Sequence, residues 1–200
     1  MTDHDRLSVG IRTTPWNATY DEILAVWRDA DTVPAIEHAW LWDHMVPPRG
    51  ETTAPIHEGW TLLAALAAQT ERLRLGLMVA SNRIRPPAVL AKIAATTDVI
   101  SRGRLEFGIG VGGTRVAGDN PAVREFEAYG LPLVTPGEGV AALAEACTII
   151  RRMPSTRIYG ASPARPFSAS RSSAARAASS TATGGRDTTR TKTNAKCHTS

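Results

Sequence analysis

The chain alternates between two rhythms of apolar residues, and the alternation is clearest from Trp60 to Gly113. There it reads as an Ala/Leu-rich helix (WTLLAALAAQT), a strand (RLRLGLMVASN), a helix opened by two prolines (RPPAVLAKIAATTDVI) and a strand running into glycines (RLEFGIGVGG). Strand and helix repeating at this pitch predict a parallel sheet, because each parallel neighbour needs a crossover of a dozen or more residues. In such sheets the chemistry is expected at the carboxyl ends of the strands.

The same pattern extends in both directions. Leu7–Ile11 reads as a first strand, and Thr19-x-x-Glu22 is a capping box that opens a helix with Ile23, Leu24, Val26 and Trp27 as its buried stripe. Glu37–Trp42 reads as a second strand, followed by a Pro- and Gly-rich loop of fifteen residues, Met45–Gly59, of a length that is usually functional or disordered. The second helix is expected over Trp60–Glu71. The third strand, Leu73–Ala80, is nearly continuous in apolar residues, as a strand covered on both faces should be. Pro86-Pro87 suit a helix start, with Val89, Leu90, Ile93 and Ile100 as the expected buried face, and Leu105–Ile109 is the fourth strand. Residues 114–134 read as irregular. A second capping box, Thr135 with Glu138, then opens a helix running to about Arg152.

Composition changes abruptly after that helix. Of the 47 residues from Pro154 to Ser200, 32 are Ser, Ala, Arg or Thr, and none is Leu, Val or Trp. A segment so poor in apolar surface is expected to be disordered, so the chain divides into residues 1–153 and a tail, 154–200. Either the tail is a native solvated basic segment, or the reading frame shifts near codon 152 of a GC-rich gene; the switch within a helix favours the shift. The formal net charge of +4 is −3 on the first part, with 15 Lys/Arg against 18 Asp/Glu, and +7 on the tail. The ordered part therefore carries no basic surplus for nucleic acid. Two cysteines without metal or disulfide spacing, and no apolar run of membrane-spanning or signal-peptide length, fit a cytoplasmic protein.

Several residues carry candidate chemistry. Asp43-His44 ends the second strand, where a histidine can act as acid, base or donor with the aspartate orienting the ring or the loop; the plain alternative is a hydrogen-bonded turn. Gly108, Gly110, Gly112 and Gly113 allow backbone to approach a flat or anionic ligand. A dinucleotide fingerprint would need a helix starting inside those glycines and a carboxylate about twenty residues on, and neither is read here. Asn82, Arg83 and Arg85, in the loop after the third strand, are candidates for gripping an anion, or else solvated residues before a helix. His38, His44 and His57 lack the spacing of a metal centre, and no metal is expected.

The run WLWDH, the block from EGWTLLAALAAQTERLRLG through R-x-P-x-x-L-A-K to D-V-I-S-x-G-R-L-E-F-G-I-G-V-G-G, and EFEAYGLP ahead of the last helix resemble the luciferase-like monooxygenases, over roughly residues 7–152. The resemblance implies the front half of a TIM (β/α)8 barrel, about four βα units. It also implies FMN or coenzyme F420 across the carboxyl ends of the strands, a small-molecule substrate, and frequent homodimers. A non-prolyl cis peptide that backs the cofactor ring maps to the neighbourhood of Val79, Ala80 and Ser81, with Asn82 beside it, and Asp43-His44 maps to the pair that faces the reactive ring. Some F420 enzymes place a catalytic glutamate where this sequence has Gly113. The implied activity is hydride transfer between the ring and a small organic substrate, with O₂ in a monooxygenase version. The alternatives are a non-catalytic truncated or frame-shifted fragment and, more remotely, a dinucleotide-binding module.

Overall fold

A computed structural model describes residues 7–51, 53–115 and 121–153; the tail from 154 onward, expected to be disordered, lies outside the described residues. The strands are β1 (Gly10–Arg12), β2 (His38–Leu41), β3 (Arg74–Leu77), β4 (Ala80–Ser81), β5 (Leu105–Glu106) and β6 (Ile109–Gly110). Between and after them run α1 (Tyr20–Thr32), α2 (Gly59–Gln69), α3 (Pro87–Ile100), α4 (Pro121–Ala128) and α5 (Pro136–Arg152). Every strand pair is parallel, in the order β1-β2-β3-β5, with β4 and β6 forming a second short pair beyond the ends of β3 and β5. The expected βα grammar is thus present, with strands shorter than read: the first is displaced to Gly10–Arg12, and the second helix ends at Gln69.

Both capping boxes form. The Thr19 and Thr135 hydroxyls accept from the Glu22 and Glu138 amides, while each glutamate accepts from its threonine's backbone N–H at 2.8 Å. These pairs depend only on residues three apart, so sequence specifies them locally.

Period-2 alternation gives the sheet two unlike faces. Ala39, Leu41, Leu75 and Leu77 point toward the helices and are fully buried with Trp27, Leu63, Leu66 and Leu90. On the opposite face Trp40 lies against Gly76, where a β-carbon would stand 2.6 Å from the indole, and Arg74 pairs with Glu106. Arg12 stacks over Trp42 at 5.0 Å on the same face.

The helix faces correct the expected stripes. α1 buries Ile23, Leu24, Trp27 and Ala30 and leaves Val26 exposed; α3 buries Leu90, Ala91, Ala94 and Thr97 and leaves Val89 and Ile100 exposed, with Ile93 half-buried. α3 is apolar almost all round, so its pattern leaves the phase open. The phase is decided by its alanines, which allow close helix approach. The reading of 114–134 as irregular is also corrected: Pro121–Ala128 is a helix that buries Glu125 and Phe126. With only eight residues, and a buried carboxylate beside one aromatic as its inward residues, α4 is too short a pattern to be recognised.

The amino-terminal end of the sheet is fastened by two arginines used alike. Arg72, in the turn before β3, donates to the Ala30 and Val33 carbonyls at the end of α1. Arg104, in the turn before β5, donates to Ala67 O and Thr70 O at the end of α2, and to Leu73 O, Thr70 Oγ1 and Ser101 O. Each guanidinium adds donors to helix-end carbonyls and sits at the negative end of the dipole, although Ala30 O and Val33 O also accept from the Val33 and Ile36 amides. Replacing Arg104 with Ala strands several half-buried acceptors together. The expected loss is about 3 kcal/mol of unfolding free energy by urea titration, with Lys recovering only part, since charged hydrogen bonds are worth roughly 1.5–3 kcal/mol each and are not additive. A change below about 0.5 kcal/mol would show that water replaces the guanidinium at no cost.

Candidate functional site

The apolar run expected to be one strand from Leu73 to Ala80 is broken after Leu77. The Met78–Val79 peptide is cis, and the chain resumes as β4, paired with β6 rather than continuing the main sheet. The fourth strand breaks in step, Leu105–Glu106 pairing with β3 and Ile109–Gly110 with β4. At the step Met78 and Val79 turn apolar side chains outward, each 47% exposed. They floor a cavity of about 640 Å³ at the carboxyl ends of the strands. Its wall takes Asp43 and His44 from the end of β2, Ser81 from β4, Gly112 and Gly113 beyond β6, and Glu125 from α4.

Asp43 is 5% exposed, and among the described residues its carboxylate is held by groups other than the His44 ring. Its Oδ2 accepts from the Ser81 amide at 2.7 Å and from Arg85 Nη1 at 2.9 Å. The other arm of Arg85 pairs with Glu58, the N-cap of α2, whose carboxylate also accepts from the Trp60 and Thr61 amides. One guanidinium thereby ties the end of β2, the start of α2 and the loop after β4. Burial pushes the Asp43 carboxyl above its ordinary range, opposed by Arg85 and the Ser81 amide. Arg85 was a candidate to grip an anion; the structure corrects this, because both of its arms are engaged by carboxylates of the chain. Arg83 reaches the Pro132 carbonyl.

His44 is held instead by a residue the sequence reading missed. Its Nδ1 lies 3.2 Å from Glu125 Oε2, and Glu125 Oε1 accepts from the Met45 amide at 2.5 Å. The Glu125 side chain is 4% exposed and that of His44 42%. The hydrogen bond to Glu125 raises the imidazole pKa above its ordinary value against the opposing effect of burial, and the charges of Glu125 and Asp43 add to the rise. The sequence reading took EFEAYGLP only as part of the resemblance, and no local rule assigns a carboxylate to a histidine 81 residues earlier.

The glycines divide. Gly112 has φ +81°, and a β-carbon there would meet Ser81 Oγ at 2.4 Å; one at Gly113 would meet the Phe126 ring at 2.5 Å. Both line the cavity, while Gly108 and Gly110 do not and face Val79, with β-carbon positions 3.3 and 2.8 Å from its methyls. At all four the space a β-carbon would take is occupied by the chain itself, by Ser81, Phe126 and Val79, and only Gly112 and Gly113 line the cavity. Asn82, also expected at the cofactor, is 6% exposed, outside the cavity lining, and donates its amide to Gly110 O. No helix begins within residues 108–115, so the context of a dinucleotide fingerprint is missing.

The three histidines weighed for a metal are separately engaged: His38 Nδ1 accepts from Trp40 Nε1, His57 Nε2 meets Ala18 O, and His44 pairs with Glu125. Among the described residues no helix is long and apolar enough to cross a membrane.

The cavity suits a flat ring with polar edges. Its floor is the apolar shelf of Met78 and Val79, and Asp43 Oδ1 and the indole N–H groups of Trp16 and Trp42, residues that border it, are buried without partners. The sequence profile of the luciferase-like monooxygenases matches residues 4–183. A phthiodiolone/phenolphthiodiolone dimycocerosates ketoreductase of Mycobacterium tuberculosis is 37% identical over 100 residues, 42% of this chain and 26% of the relative. An F420-dependent glucose-6-phosphate dehydrogenase of Amycolatopsis mediterranei is 35% identical over 80 residues, 38% of this chain and 23% of the relative. Among solved structures, monooxygenase RslO1 from Streptomyces bottropensis superposes with a TM-score of 0.56 at 26% identity, covering 73% of this chain and 42% of that one. An F420-dependent secondary alcohol dehydrogenase in complex with an F420–acetone adduct gives 0.61 at 17% identity, covering 81% and 48%. The chain thus spans about a quarter of these curated relatives and less than half of these solved structures.

Arg85 is the element of this site whose loss is most costly. Arg85→Leu leaves the Asp43 carboxylate, 2% exposed in its side chain, without its counter-charge. Breaking a buried pair from one side costs about 3–5 kcal/mol, so the urea midpoint is expected to fall steeply. Arg85→Lys, which cannot span both carboxylates in a fork, should recover less than half of it. An unfolding curve unchanged by Arg85→Leu would remove the bridge from the account.

Proposed function

We propose that this chain, which belongs to the luciferase-like monooxygenase family, is the part of an oxidoreductase that seats the ring of FMN or F420 and presents it to a small organic substrate. The observation that carries the reading is the conjunction, in one cavity, of an apolar shelf at Met78 and Val79 with a histidine held by a carboxylate. When bound, either cofactor supplies a ring that accepts or gives a hydride. Met78, Val79 and Ser81 would support one face of that ring, with Gly112 and Gly113 lining the same cavity.

His44 takes the acid–base part. With its charged form favoured by Glu125, the imidazole can donate a proton to a carbonyl oxygen or, in the reverse direction, receive one from a hydroxyl. The names of the ketoreductase and the glucose-6-phosphate dehydrogenase both point to carbonyl–alcohol interconversion, and they support that substrate class for this site. Asp43 keeps Ser81 and Arg85 in place and takes no proton in this scheme.

A second reading, a non-catalytic chain that shields its sheet by association, is favoured by the outer edges of β1 and β5, which have no strand partner among the described residues, and by exposed Val89, Val99 and Ile100. A concentration-dependent solution mass with no cofactor binding is its signature.

Titrating the protein with FMN and with F420 and following the ring's absorbance and fluorescence tests the first reading. Saturable binding of one of them is expected. His44→Asn should leave its Kd within about threefold while lowering hydride transfer to a test ketone by about a hundredfold or more, the usual weight of a general acid. Binding of neither ring, or turnover unaffected by the substitution, would overturn it.

A further inference from the structure

α4 delivers its carboxylate to His44 by a specific set of contacts. Phe126 is fully buried against the bare α-carbon of Gly113, Tyr129 donates its hydroxyl to Met45 O at 3.2 Å, and between them Glu125 is 3% exposed. Both Glu125 oxygens are used on consecutive residues, Oε2 on the His44 ring and Oε1 on the Met45 amide. The helix, the carboxylate and the loop after β2 are therefore one unit. His44 Nε2, by contrast, has no partner among the described residues, and His44 lines the cavity.

We propose that Glu125 is the positioning residue of His44: it fixes the imidazole as the Nδ1–H tautomer and leaves Nε2 as the nitrogen that exchanges a proton inside the cavity. A carboxylate on one ring nitrogen selects the tautomer and orients the ring, because the Nδ1–H donates to the acceptor and the basic lone pair is left on the other side. The inference rests on the reading of His44 as the acid–base group, but ring tautomer and titration are observable without cofactor or substrate.

The charged groups around the ring bear on its titration in known senses. Glu125 from α4 and Asp43 beside it in sequence favour the imidazolium, and Arg12 from β1 and Arg49 from the loop line the same cavity with the opposite sign. Glu125 is the one in hydrogen-bond contact. Because the folded value of His44 is raised, the stability it contributes is fully present below its unfolded value and is lost as pH rises through the folded midpoint.

The test is imidazole ¹⁵N NMR on the labelled, cofactor-free chain across neutral pH, with the His44 signal identified by its disappearance in His44→Asn. Expected are a neutral form dominated by Nδ1–H and a midpoint above that of an ordinary histidine. In Glu125→Gln, which keeps shape and removes charge, the midpoint should fall by about one pH unit or more, while Glu127→Gln on the same helix leaves it in place. A midpoint unmoved in Glu125→Gln overturns the proposal. So does an Nε2–H tautomer in the native chain, a measurement that stands even where the Gln variant fails to fold. Loss of cofactor binding with His44 behaving as expected would sink the proposed function and spare this inference; the reverse pattern would do the opposite.

Discussion

The site depends on one guanidinium. Arg85 bridges Asp43 and Glu58, and through them it fixes where β2 ends, where α2 begins and how the chain turns after β4. Other contacts act beside it, Glu125 on the loop after β2 and the pairing of β4 with β6, but only Arg85 joins all three segments. A charge that is nearly buried must be matched, and matching it from two carboxylates on different elements converts an electrostatic requirement into geometry. The apolar shelf of Met78 and Val79 can remain open at the step in the strand because the ends on either side of it are tied.

The opposite end of the sheet is built differently. There Arg72, from the turn before β3, closes the end of α1, and Arg104, from the turn before β5, closes the end of α2, with neutral carbonyls as partners. These three arginines thus serve two purposes: Arg72 and Arg104 close helix ends, and Arg85 anchors carboxylates at the candidate site. The division matches the general rule for parallel βα architectures, stability at the amino ends of strands and function at their carboxyl ends.

Much of this was legible because it is local or periodic. The two capping boxes, the parallel order of strands and helices, and the placement of Asp43-His44 at a strand end follow from residues a few positions apart. What escaped is long-range or phase-dependent. The run Leu73–Ala80 is apolar from Leu75 onward, so its periodicity does not mark the step after Leu77, and only the resemblance pointed to its neighbourhood. α3 offers apolar residues on every side, so only packing decides that Ala91 and Ala94 turn inward while Val89 and Ile100 do not. Arg85 read as a free cation because its partners lie 42 and 27 residues away, and α4 read as loop because what it buries is chiefly a carboxylate and one phenyl ring.

The contact between Gly113 and Phe126 limits what position 113 can hold. The resemblance implies a glutamate there in some F420 enzymes, but here the space a β-carbon would occupy is filled by the Phe126 ring. Installing an acid at 113 by one codon change would push Phe126 out, and with it the helix that brings Glu125 to His44. The two positions are therefore coupled by packing: any side chain at 113 calls for a smaller one at 126 or a displaced α4.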